Sequence, residues 1–343
     1  MLRRLTPPAR PRWLRWSLGL AVAYGLVATL VLLAVAVLRD RTAVTYTAAL
    51  FSFWWLLPAP ALLVLAVVLR SWRAVAAVAV PAVVCAVLQG PYLLNRLPGG
   101  ESAHDLRVAT YNLTQTAPLD GLYALVQREQ PDVLLLQEVT DQSRPALASL
   151  PGYPYSSFGP VSGTFEPDGD AVVSKLPITG TEQVTGLPAG ARPTALVTLD
   201  AGGRRLAVLS VHLASPCIGC LPEKESLNPA GSTSEAARLR VAEARRYGEI
   251  AAGLIAQGQP VLLGGDLNSA PLNQPLGELV DAGLVDVHRA VGTWPALTRG
   301  PGPGVARVDA VLVSGLEPVR SVEGAAGPST HSPIVADLAW PGG

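Results

Sequence analysis

The 343-residue sequence predicts an α+β domain of two packed β-sheets flanked by helices, preceded by three transmembrane helices. Three observations carry this reading. Residues 16–38, 47–69 and 74–94 contain no charged side chain. From residue 106 onward, short strand-like runs bounded by Gly and Pro recur without internal repeats. Among them lies one long amphipathic stretch, 234–257, in which Tyr247, Ile250, Ala251 and Leu254 share a helix face and Ser232 with Glu235 forms a capping box.

The apolar share of 49% and mean hydropathy of +0.34 are high for a wholly soluble chain, and the three uncharged runs account for the excess. As helices, each is long enough to cross the roughly 30 Å hydrocarbon layer. Three such runs in succession rarely occur in a soluble core. Pro58, Pro60, Pro81 and Pro91 are compatible with membrane helices and predict kinks in them. A cleaved secretory signal fits the start poorly, because the first apolar run exceeds the roughly 7–15 residues of a signal core and two more runs follow it. Residues 1–94 are therefore expected to form an uncleaved anchor.

Arginine placement predicts the orientation. Arg3, Arg4, Arg10, Arg12 and Arg15 precede the first run, and Arg70 and Arg73 lie between the second and third; the positive-inside rule puts both segments in the cytoplasm. Arg39 and Arg41, in the opposite loop, pull more weakly the other way. The expectation is a multi-pass cell-membrane protein with a cytoplasmic N-terminus and an extracytoplasmic domain. The first 100 residues hold 10 of the 26 basic residues and one of the 26 acidic ones, leaving 16 against 25, so the exported part is near −9. Such an acidic surface makes nucleic acid an unfavourable partner and leaves the bilayer as the expected one.

Residues 95–105, with LPGGES, read as a polar linker, and 106–343 as one domain. Strands are predicted at 106–111, 132–137, 170–174, 192–199, 205–211, 260–266, 307–313 and 333–338. Polar residues sit where these buried runs end: Asn112 after ATY, Glu138 after DVLLLQ, His212 after VLSV, and Asp266 with Asn268 in GGDLN. Taken singly, each fits a solvated strand end or a turn. Their recurrence at strand ends points to a shared cleft.

The motifs ATYNL, PDVLLLQE, GDAVVSKLPI, VHLAS, GGDLN, RVDAVLVSG and STHSPIVADL, spread over residues 106–339, resemble in order those of the endonuclease/exonuclease/phosphatase superfamily. With three preceding spans, the chain most resembles the membrane-anchored actinobacterial members, VanJ-like. The resemblance implies two stacked, mostly antiparallel sheets in a four-layer sandwich and a Mg²⁺ or Mn²⁺ site. It implies Glu138 as metal ligand with Asn112 supporting it, hard oxygen donors being suited to these ions. It further implies Asp266 as the group that orients or deprotonates water and Asn268 as its partner on the phosphate. His331 is implied as the catalytic histidine, Asp309 as the carboxylate that holds it, and His212 as a second phosphate-facing imidazole.

Two positions depart from the family pattern. Thr330 stands where an aspartate usually precedes the last histidine, which puts a second or tightly held metal in doubt. Thr114 stands where DNA-repair members carry an acid. Cys217 and Cys220, in CIGC, are open to a short-loop disulfide, free thiols or a redox pair; Cys85 lies in an apolar run. His104 and His288 are expected to be structural and Trp294 to be packing, while Arg192 faces either a phosphate or solvent.

The implied activity is metal-dependent hydrolysis of a phosphate ester or pyrophosphate, with a lipid-linked phosphate as the substrate that an anchor favours. An extracellular nuclease and a catalytically silent binding or sensor domain are the alternatives.

Overall fold

The computed structural model describes residues 11–96, 103–114, 117–160, 169–216, 218, 230–300, 304–325 and 327–342. Cys217 and Cys220, the LPGG of the linker and most of the 216–233 loop lie outside the described residues.

Among the described residues, twelve strands build two six-stranded sheets. The first contains β1 (Leu106–Asn112), β2 (Val133–Val139), β3 (Tyr155–Phe158), β4 (Gly169–Ser174), β11 (Glu317–Glu323) and β12 (Ile334–Ala339), in the order β11-β12-β1-β2-β4-β3. The second contains β5 (Ile178–Gln183), β6 (Ala195–Asp200), β7 (Arg205–His212), β8 (Val261–Asp266), β9 (Val285–Asp286) and β10 (Asp309–Ser314), in the order β5-β6-β7-β8-β10-β9. Only the central pairs β1/β2 and β7/β8 are parallel, so the sheets are mixed and mostly antiparallel.

Side-chain alternation explains the layering. Val133 and Leu135 of β2 point between the sheets with Val108, Val208, Leu262 and Val311. Leu134 and Leu136 point the other way, against Leu122 and Leu125 of α6 (Asp120–Glu129) and Leu147 of α7 (Arg144–Ala148). On the second sheet, Leu209 and Leu263 meet Ala244, Tyr247 and Ala251 of α8 (Thr233–Ala256) and Leu279 of α9 (Gln274–Asp281). Strands buried on both faces read as continuous apolar runs, which is why the central ones were predictable. The Ser232–Glu235 capping box opens α8 as predicted.

The sequence reading omits β3, β5, β9 and β11. β5 and β11 are edge strands that leave most residues exposed or half-exposed, so no apolar alternation marks them.

Ahead of the sandwich lie α1 (Arg12–Leu38), α2 (Ala43–Leu50), α3 (Ser52–Leu56), α4 (Pro58–Val68) and α5 (Trp72–Leu94). Two helical segments, Arg12–Arg41 and Trp72–Leu94, are long and apolar enough to cross a membrane; the third predicted span qualifies only if α2 and the following Ser52–Val68 count together across a 68° bend. That bend falls at Phe51, ahead of the prolines predicted to kink, while α5 runs on as one helix through Pro81 and Pro91. Its physical reason is competition for α2: Tyr46 and Leu50 pack against Ala237, Ala270, Ala306 and Val308 of the sandwich. Gly25 lets α1 approach α5 closely, since a Cβ there would lie 2.4 Å from the Ala77 carbonyl.

Candidate active site

The strand-end residues converge. Asn112 is fully buried at the end of β1, and its carboxamide nitrogen donates to Glu138 Oε1 at 3.0 Å and to Asp266 Oδ2 at 3.1 Å, bridging the two sheets. Its own oxygen accepts from the Thr114 N–H at 2.9 Å. Asn112 therefore helps hold Glu138 in place, and the carboxylate is the harder oxygen donor of the pair. Glu138 sits at a register break between β2 and β4 with φ +57°, which turns its half-buried side chain out of the strand's alternation.

Asp266 is the hub. Its Oδ1 accepts from the Asn268 N–H at 2.8 Å, and its Oδ2 lies 3.5 Å from His212 Nε2 and 3.6 Å from His331 Nε2. Burial pushes its pKa up to about 6, although His331 pulls the other way. A carboxylate poised there can take a proton from water near neutral pH.

His331 Nδ1 hydrogen-bonds Asp309 Oδ2 at 2.9 Å. Burial opposes charge on the ring, but Asp309 and Asp266 outweigh it and lift the pKa to about 9. The ring is an imidazolium at neutral pH. His212 is the opposite case: burial, with Arg192, His331 and Arg299 nearby, holds its pKa well below the ordinary value. It offers a dipole to a phosphate rather than the second cation that two equivalent imidazoles would supply. Its Nδ1 is buried with no hydrogen-bond partner among the described residues.

Asn268, at φ +46°, donates from its carboxamide nitrogen to the Leu213 carbonyl at 3.0 Å. Thr114 and Thr330 are brought together, hydroxyl to hydroxyl at 2.9 Å, beside Ser329, whose Oγ donates to the Asn112 carbonyl at 2.7 Å.

Sequence reasoning missed Arg299. Its backbone bridges to His331 and to Ala306, and its guanidinium donates to the Thr330 carbonyl at 3.3 Å. An exposed arginine in a Gly/Pro loop carries no signal of its own. Arg192, left open above, donates to the Leu213 carbonyl and to Ser215 Oγ, both at 3.1 Å, and Ser215 Oγ lies 3.4 Å from His212 Nε2. His288 lies apart, bonded to Ser321 Oγ and the Trp294 carbonyl, a structural role. His104 is exposed, and Trp294 lies under Arg96 and edge-on to Phe53.

Two arrangements could hold a metal. Ligand atoms of Asp266, Asp309 and His331 lie within 4.8 Å of one another, all buried. In that trio His331 Nδ1 is already hydrogen-bonded to Asp309, which suits it to an acid–base relay. Glu138 is the better donor: it is an oxygen ligand, partly open, and separated from the Asp266 carboxylate only by the Asn112 amide. Two carboxylates so close gain from a divalent cation beside them.

The comparison with curated proteins gave no match. Among solved structures, the chain is similar to an endonuclease/exonuclease/phosphatase from Beutenbergia cavernae, at 24% identity and a TM-score of 0.51 over 69% of this chain and 72% of that one. It is similar to the human Nocturnin catalytic domain with bound sulfate, at 20% identity and 0.53 over 69% and 96%. A conserved protein of unknown function from Enterococcus faecalis gives 18% identity and 0.52 over 68% and 100%. These likenesses speak to the fold. The Endonuclease/Exonuclease/phosphatase family model matches residues 109–331, running from the strand that carries Asn112 to His331, and the chain belongs to that family.

Proposed function

We propose that the protein is a divalent-metal-dependent hydrolase of a lipid-linked phosphate ester or pyrophosphate, working at the outer face of the cell membrane. Members of its family hydrolyse phosphate esters. Glu138, supported by Asn112, would hold Mg²⁺ or Mn²⁺, which when bound neutralises phosphoryl oxygens. Asp266 would take the proton of the attacking water. The His331 imidazolium, fixed by Asp309, would meet the charge that grows on the phosphoryl group, and Arg299 adds a cation at the rim. His212 and Asn268 would orient the phosphate.

One observation carries the choice of a lipid-linked substrate: loops of the site rest directly on the apolar N-terminal helices. Tyr46 of α2 donates its hydroxyl to the Asn268 carbonyl at 2.9 Å. Trp54 of α3 donates its indole N–H to the carbonyl of Val305, whose own N–H bonds the Arg299 carbonyl at 2.7 Å. A phosphate held at the bilayer surface would be within reach of such a site, whereas a soluble polyanion would meet a domain near −9. The same features favour a kinship with the membrane-anchored actinobacterial members of the family.

The test is turnover by the full-length protein in lipid nanodiscs with Mg²⁺ or Mn²⁺. Lipid monophosphates, lipid pyrophosphates, phosphodiester lipids and DNA would be offered in parallel. Hydrolysis of a lipid phosphate with DNA untouched is expected. Cleavage of DNA alone would make the protein an extracellular nuclease, and no turnover with a folded domain would make it a silent binding module.

A further inference from the structure

Tyr46, in α2, lies just ahead of the 47–69 run predicted to span the membrane, and its side chain is completely buried against the catalytic sandwich. Its hydroxyl reaches Asn268, which among the described residues is otherwise held at two points: its N–H donates to Asp266 Oδ1, and its carboxamide to the Leu213 carbonyl. The third point comes from the anchor. Arg240, fully buried on α8, lies over the Tyr46 ring at 4.2 Å and donates to the Ala214 carbonyl, two residues beyond His212. The stitching extends along the loop after β8. Asp40 accepts from Asn273 Nδ2 at 3.0 Å and from the Gln274 N–H at 3.1 Å, and Asn273 Nδ2 also reaches the Tyr46 carbonyl at 3.2 Å. Asn273 Oδ1 in turn accepts from the Ala270 N–H at 3.0 Å.

We propose that Tyr46 is a positioning residue for the catalytic loop, and that the segment Asp40–Leu50 of the membrane anchor braces the loop after β8 rather than merely tethering the domain. The inference rests on the reading that Asp266 and Asn268 act on the phosphate. Asn268 keeps a left-handed backbone at φ +46°, which asparagine adopts more readily than most residues and which its hydrogen bonds fix here. Without the tyrosine hydroxyl, its carbonyl becomes a buried acceptor with no donor. The residue relaxes, and the N–H that fixes Asp266 moves with it. A merely adhesive contact would need the apolar face of α2 but no hydroxyl aimed at the residue two positions after the general base.

The experiment compares Tyr46→Phe with Asn95→Ala in the full-length chain. Asn95 Nδ2 bonds the Gly292 carbonyl at 2.9 Å, an anchor-to-domain contact away from the catalytic loop. Two readouts are taken: hydrogen exchange of the backbone amides from Leu267 to Ala270, and kcat and KM on whichever lipid phosphate the unaltered protein hydrolyses. The phenylalanine keeps shape and stacking, so the fold should survive. Its expected signature is exchange at the Asn268 amide faster by about tenfold, and kcat lower by about tenfold with KM within roughly twofold, the loss of one buried hydrogen bond at a reacting geometry. Asn95→Ala should leave both readouts near the unaltered protein. Unchanged exchange and kcat in Tyr46→Phe overturn the proposal, as do equal changes in both variants. If the unaltered protein hydrolyses nothing on the panel, the exchange comparison still decides the positioning role, and only the hydrolase reading falls.

Discussion

Thr114 Oγ1 lies 2.9 Å from Thr330 Oγ1 and 3.2 Å from the Thr330 N–H, joining the loop after β1 to the loop before β12 at the edge of the site. Ser329 Oγ, 3.0 Å from Thr114 Oγ1, accepts from the His331 N–H, so the pair also sets the height of His331. Thr114 holds φ +51°, a costly backbone for a β-branched residue, and its three hydroxyl contacts explain why it stays there.

Two uncharged hydroxyls at this place add no charge to what the Glu138 and Asp266 carboxylates offer a cation. Thr330→Asp would place a carboxylate beside Thr114, which can donate to it. The metal concentration for half-maximal rate should then fall by about three- to tenfold, with kcat little changed. Metal titrations of both proteins check this; an unchanged requirement would place Thr330 outside the reach of the ion.

Glu138→Gln replaces the charged oxygen with a neutral one of equal size, and Asn112 Nδ2 can still donate to it. Activity at low metal should fall by about 100-fold while the thermal midpoint moves little. Excess Mn²⁺ should restore part of the rate. Full activity at low metal would remove Glu138 from the metal site.

The two perturbed groups predict the pH profile. Asp266 must be unprotonated to accept a proton, and its pKa is raised to about 6, so the rate should climb as pH rises through that value. His331 must stay charged, and its pKa is raised to about 9, so the rate should decline as pH passes it. The His331 ring and the Asp266 carboxylate are 3.6 Å apart, so the limbs belong to the pair. Asp309→Asn removes the carboxylate that holds the imidazolium. Its alkaline limb should move down by about one unit or more, with the acid limb less affected. A rate profile that keeps its alkaline limb in the variant would separate His331 from the chemistry.

Legibility followed burial. β1, β2, β7 and β8 carry apolar runs covered on both faces, so each ends visibly at a polar residue, and those residues are Asn112, Glu138, His212 and Asp266. Asp309 opens a similar run in β10, and His331 precedes another in β12. What escaped notice lies where apolarity has two explanations or none. Residues 43–50 are as apolar as a span, but they face the Ala237–Ala270–Val308 surface of the sandwich, and pattern alone cannot tell protein from lipid. Arg240 is buried against the Tyr46 ring from a helix whose period marks only its apolar face. Arg299 reaches the site through a loop whose path depends on the pairing of Arg299 with Ala306.

The last prediction concerns which side of the membrane holds the site. The segment 39–46 and the end of α5 both touch the sandwich: Arg238 donates to the Arg41 carbonyl, Ala43 N–H to Ser234 Oγ, and Arg289 to the Val87 carbonyl. The opposite end of the bundle packs Leu14 and Leu18 of α1 against Leu69, Ala74 and Val75, where the helix pair turns round. Arg12, Arg15, Arg70 and Arg73 gather at this far end, so the positive-inside rule assigns it to the cytoplasm and the sandwich to the exterior. In a background with the three native cysteines replaced by serine, Asp141→Cys and Ser71→Cys each give one reporter thiol; the Asp141 side chain is 71% exposed, and Ser71 lies in the far turn. A membrane-impermeant maleimide added to intact cells lacking an outer membrane should label position 141 and spare position 71. After lysis both should react. Labelling at 71 alone in intact cells would invert the protein and move its site to the cytoplasmic face, where the acidic surface of the domain would need another explanation.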